Sequence, residues 1–111
     1  MQHAGPEGIE LPRDARDQFR RSTRIRRADL KPGDLVFLTE PGPPPNVYHV
    51  LLYAGGDALI ESRGKDGSLK TTFRERFGKP LSKIESGELV PNLPGNKPAK
   101  IRIDFGSFLH R

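Results

Sequence analysis

His49 and Glu61 are the side chains whose types and setting could move a proton to and from a bound molecule. Each is a polar residue inside an otherwise apolar run, Val47 to Tyr53 for the first and Ala58 to Ser62 for the second. A carboxylate beside an imidazole orients the ring and stabilises its charged form during proton transfer. The structural alternative is a histidine at a strand edge and a solvated glutamate that never meet.

The elements that must position the pair are legible. Leu35 to Leu38 is a short apolar run entered through a Pro32-Gly33-Asp34 turn, the pattern of a strand. Val47–Tyr53 and Ala58–Ser62 are β-rich runs joined by Gly55, Gly56 and Asp57, which signals a hairpin. Parity then decides the outcome, because residues opposite each other in an antiparallel pair share a face. A two-residue Gly55-Gly56 loop sets Val50 against Glu61 and puts His49 and Glu61 on opposite faces. A three-residue loop over Gly55, Gly56 and Asp57 sets Leu51 against Glu61 and makes His49 its diagonal neighbour. The glycines favour the second, since such loops need a residue at positive φ.

The run Leu30-Lys31-Pro32-Gly33-Asp34-Leu35-Val36-Phe37, followed by His49-Val50 and Tyr53-Ala54-Gly55, resembles the NlpC-type cell-wall peptidases. These are papain-like cysteine hydrolases that cut the peptide stems of bacterial peptidoglycan. Gly8-Ile9-Glu10-Leu11-Pro12-Arg13, with Asp17-Gln18 soon after, is similar to the segment preceding this motif in the family. The likeness runs from Gly8 to Phe77. It implies that His49 is the general base and that the orienting position falls on Glu61, where the family most often has histidine. It also implies an α+β fold: a small antiparallel sheet of about five strands with one N-terminal helix, the β-sheet half of a papain-like domain.

The family nucleophile is a cysteine at the start of a helix ahead of the Gly-Ile-Glu-Leu-Pro-Arg segment. This chain has no cysteine, and seven residues stand before Gly8, whereas even a short helix takes about ten or more. A thiolate paired with an imidazolium is a strong nucleophile near neutral pH. Ser22 and Ser62 lie in the wrong segments to replace it. The expectation is a peptidase sheet without its nucleophile helix, inactive by this mechanism as it stands.

At 111 residues the chain is expected to be one small domain, with an NlpC-like region over 8–77 and a proline-rich connector plus C-terminal strand over 78–111. Hydrophobic residues make up 33% and charged residues 30%, with 12 Gly and 11 Pro, which argues against a helical bundle. There are no thiols for disulfides or a metal site, and His3, His49 and His110 have no ligand spacing, so no metal or other cofactor is expected. No apolar run is long enough to span a bilayer. The first residues lack the basic and apolar regions of a signal peptide. The resemblance implies a cell-envelope or secreted setting, but the sequence carries no address, so localisation stays unread.

Arg13 to Thr23 can form a helix started by Pro12, with Asp14 and Asp17 in its first turns. Arg20, Arg21, Arg24, Arg26 and Arg27 follow, five arginines in eight residues of a chain with net charge +5. This is a solvated basic face or a contact for an anionic polymer or peptide carboxylates. Nucleic acid is disfavoured, because no aromatics are interleaved for stacking. Thr39 to Asn46 reads as an exposed proline-rich loop at the rim of any site near His49. Leu69–Thr72 reads as a fourth strand, Phe73–Phe77 as a helical turn stopped by Gly78, and Pro80–Pro98 as a long connector. Lys100–Phe105 alternates as a strand that could add to the sheet edge.

Two function classes follow. One is a peptidase half-site with His49 as base and Glu61 as orienter, completed by a nucleophile helix from elsewhere. The other is a non-catalytic module contacting a polyanion or protein through its basic face and exposed sheet. A sheet face bared by the missing helix favours a homo-oligomer or a helix-supplying partner in either case.

Overall fold

The computed structural model describes residues 15–43, 46–62, 64–93, 95 and 97–108. The segment 8–13, His3 and His110 lie outside them. Helix α1 (Ala15–Arg21) leads into strand β1 (Thr23–Ile25), followed by β2 (Leu35–Glu40), β3 (Asn46–Gly55), β4 (Ala58–Ser62) and β5 (Ser68–Thr72). Helix α2 (Phe73–Phe77), β6 (Leu89–Pro91) and β7 (Lys100–Ser107) complete the order. The fold is α+β, with one antiparallel sheet in the order β1-β7-β2-β3-β4-β5 and β6 paired to β7. The sheet has seven strands, not the five expected.

β2 is central, between β3 and β7, and Leu35 to Thr39 are all buried. A strand covered on both faces reads as a continuous apolar run rather than an alternation. It extends two residues past the expected end, since Thr39 pairs with Val47 and Glu40 with Asn46. The Pro32-Gly33-Asp34 turn is latched onto β3. Asp34 Oδ2 accepts from the Lys31 N–H at 2.8 Å, and the Asp34 N–H donates to the Lys31 carbonyl at 2.9 Å. Gly33 N–H donates to the Tyr53 carbonyl and Tyr53 N–H to the Asp34 carbonyl, both at 2.9 Å. Gly33 has φ +99°, which a residue with a Cβ resists.

The C-terminal strand corrects the sequence reading most. β7 is not at the edge; it pairs with β2 along one side and with β1 and β6 along the other. Ile101, Ile103 and Phe105 join the core as their alternation implies, with Ser107 buried at the same parity, but Asp104 and Gly106 on the other face are buried too. The supposed connector also folds in. It holds a 3-10 turn at Leu81–Lys83 and strand β6, whose Val90 packs in the core.

The core lies on one sheet face, where Val36, Leu38, Leu51, Leu59, Ile101, Ile103 and Phe105 meet Phe73 and Phe77 of α2 and Ile84. Thr72 caps α2 by accepting from Glu75 N–H at 3.0 Å, and Gly78 at φ +84° ends it. The expected bare sheet face is therefore absent among the described residues. Their exposed large hydrophobics are Leu69, Leu89 and Leu93, on β5, on β6 and just after β6.

Candidate active site

β3 and β4 settle the parity question. Leu52 pairs with Ile60 and Tyr53 with Leu59, and continuing that register sets Leu51 opposite Glu61. The expected register therefore holds, by a different turn. Gly55 pairs with Ala58, a bulge lies between Tyr53 and Gly55, and Gly55 and Gly56 both have positive φ. The bulge supplies the odd residue that a three-residue loop would have supplied.

His49 and Glu61 consequently share the core face, at the end of the sheet where His49 pairs with Leu38. His49 Nε2 lies 2.9 Å from Glu61 Oε2, with side-chain exposures of 31% and 23%. Nε2 is itself buried and makes no aligned hydrogen bond, so the oxygen stands off the ring N–H direction. The pair is brought together by the β3–β4 register, partly shielded from water yet open to a ligand. The Tyr48 ring approaches the imidazole edge-on, with centroids 6.3 Å apart. With Nε2 facing Glu61, Nδ1 is the nitrogen left to exchange a proton with a reacting atom.

Leu69 also belongs to this neighbourhood, opposite Glu61 in the β4–β5 ladder and 42% exposed. Sequence reading missed it, because the Gly64-Lys65-Asp66-Gly67 turn was legible but not the β4–β5 register that sets Leu69 opposite Glu61. Neither serine substitutes for a thiol. Ser22 lies against Gly106 and Phe37 on the opposite face, and Ser62 is the next residue along from Glu61, so its side chain points away.

The arginine cluster is mostly spent on local partners. Arg20 and Arg21 lie 3.6 and 3.5 Å from the Asp17 carboxylate, Arg26 lies 3.2 Å from Asp29, and Arg27 lies 2.8 Å from Glu85. Arg24 stacks over the Phe19 ring at 3.7 Å and donates to Ser22 Oγ at 2.7 Å. The five do not converge on His49. The proline-rich loop also leans away, with Gly42 and Pro43 lining a cavity on the face opposite the pair. Among the described residues, no cluster of His, Asp and Glu could hold a metal ion.

The family model described as the NlpC/P60 family matches residues 2–85. The chain is similar to gamma-DL-glutamyl hydrolase of Bacillus subtilis, 49% identical over 41 residues, which is 37% of this chain and 10% of the relative. It is 32% identical to gamma-D-glutamyl-L-lysine dipeptidyl-peptidase of the same organism over 69% of this chain and 27% of the relative. A probable endopeptidase of Haemophilus influenzae is 32% identical over 62% of this chain and 42% of the relative. The chain thus spans well under two thirds of the length of these relatives. No solved structure matches it significantly. With a family model covering most of its length, the chain belongs to the NlpC/P60 family.

Proposed function

We propose that this chain carries the proton-transfer half of a peptidase site that hydrolyses peptide stems of bacterial peptidoglycan, with His49 as general base and Glu61 as the residue that orients it. The observation that carries this reading is the 2.9 Å approach of Glu61 Oε2 to His49 Nε2. The names of the relatives, which specify γ-glutamyl bonds, support γ-D-glutamyl peptides as the substrate class.

The chemistry needs a nucleophile that these 111 residues do not contain, since they include no cysteine. A thiol brought to Nδ1, from the same polypeptide or from a partner, gives up its proton to His49, and Glu61 stabilises the imidazolium. The thiolate attacks the peptide carbonyl, and the imidazolium then returns the proton to the leaving amine as the C–N bond breaks. Water hydrolyses the thioester with His49 again as base. Without the thiol the chain positions a substrate but does not cleave it. The local pairing of the arginines favours this reading over a polyanion-binding module.

The test is titration of the isotopically labelled chain with γ-D-glutamyl-L-lysine, followed by NMR and by assay for free lysine. The reading expects shifts centred on His49, Glu61 and Leu69 without release of lysine. Shifts absent from that end of the sheet overturn it.

A further inference from the structure

The sheet face opposite His49 and Glu61 carries a cavity of about 410 Å³, lined by Phe19, Arg24, Thr39, Glu40, Pro43 and Asp104 among others. That volume lies within the roughly 300–1,000 Å³ usual for small-molecule sites. Phe19, edge-on to Phe37 with centroids 5.2 Å apart, and Pro43 supply apolar surface.

The polar groups of this cavity are unevenly satisfied. Asp104 is 6% exposed, and its charge is met by Arg102, whose Nε and Nη2 lie 3.1 and 3.4 Å from its two oxygens. Arg24 donates to neutral acceptors, Ser22 Oγ and the Phe19 carbonyl, and feels the Asp104 charge across the cavity without a carboxylate at ion-pair distance among the described residues. Glu40 accepts only from the neutral Asn46 amide, at 2.8 Å, and contacts no cation among them. In the same cavity, Thr39 is 3% exposed and its Oγ1 is buried without a hydrogen-bond partner among the described residues. A buried hydroxyl left unpaired costs free energy that a ligand donor or acceptor recovers.

We propose that this cavity binds a short peptide or amino acid with free termini, its carboxylate at Arg24, its ammonium at Glu40, and its apolar body against Phe19 and Pro43. A molecule with both charges meets the cation and the anion together, whereas a simple anion faces Glu40 and a simple cation faces Arg24. Thr39 Oγ1 then meets a backbone amide of the ligand. The site is independent of the His49–Glu61 reading and lies across the sheet from it.

The probes are glycyl-L-leucine, its N-acetyl form and its C-terminal amide, titrated into the labelled chain by NMR. Glycyl-L-leucine is expected to shift the amides of Thr39, Gly42, Arg102 and Asp104 saturably, and blocking either terminus to weaken binding about tenfold, as loss of one charge-assisted hydrogen bond implies. In Glu40→Gln, whose retained fold is read from the same spectra, acetylation no longer matters while amidation still does. The inference is overturned by absence of saturable shifts, by equal affinity for the three probes, or by shifts centred on His49 and Glu61.

Discussion

His49 on β3 and Glu61 on β4 sit diagonally across the hairpin, with Nε2 and Oε2 2.9 Å apart. Under the proposed orienting role, the imidazole keeps its proton on Nε2, the nitrogen facing Glu61, and leaves Nδ1 as the base. Nitrogen chemical shifts of His49 above its titration range are expected to show the Nε2–H tautomer in the parent chain and a tautomer mixture in Glu61→Ala. A mixture already present in the parent removes the orienting role.

Gly106 is fixed by close approach. A Cβ there would lie 2.6 Å from Ser22 Oγ and 2.8 Å from Phe37 Cε2, closer than real contacts allow. Gly106→Ala is expected to destabilise by about 1–3 kcal/mol in urea unfolding, the range for overpacking. Adding Ser22→Gly relieves one of the two clashes and restores part of the loss.

Arg76 clamps α2 to the end of β6. It is 9% exposed, and its Nη1 donates to Asn92 Oδ1 and to the Leu93 carbonyl, each at 2.8 Å. Arg76→Ala removes both charge-assisted bonds and is expected to cost about 3 kcal/mol in the same assay. Loss of only a few tenths would show that the clamp closes on water equally well.

Lys79 and Glu88 form an ion pair, and the Glu85 N–H also donates to Glu88, at 2.8 Å. The Lys79 hydrogen bond first, and then the Glu85 N–H, hold the Glu88 carboxyl below its ordinary value. A depressed folded value means the stabilisation is complete above the unfolded value of 4.5 and is lost as pH falls through the folded one. Glu88→Gln should therefore be less stable than the parent at pH 7, with the difference vanishing in strong acid. A difference independent of pH contradicts the ion-pair account.

The hairpin register and the end of α2 were legible because turn chemistry announces them: Gly55 and Gly56 at positive φ, Gly78 as stop. β7 was not. Asp104 and Gly106 look like solvent-facing residues, and their burial goes with the Arg102 pairing and the close approach of Ser22. The partners of the arginine cluster were legible only in part. Arg20, Arg21 and Arg26 meet Asp17 and Asp29 nearby, whereas Arg27 meets Glu85 from far along the chain. Glu61 could be placed beside His49 because parity is local, whereas Leu69 needed the β4–β5 register, which the Gly64-Lys65-Asp66-Gly67 turn did not make legible.

The most direct measurement is hydrolysis of γ-D-glutamyl-L-lysine by a chimera in which a cysteine-bearing helix of the kind the family resemblance implies precedes this chain. The account predicts activity that His49→Ala reduces to background. Glu61→Ala should lower it about 10- to 100-fold, the range for losing a partner that orients a catalytic imidazole. A folded chimera without activity, or one indifferent to His49→Ala, contradicts the account.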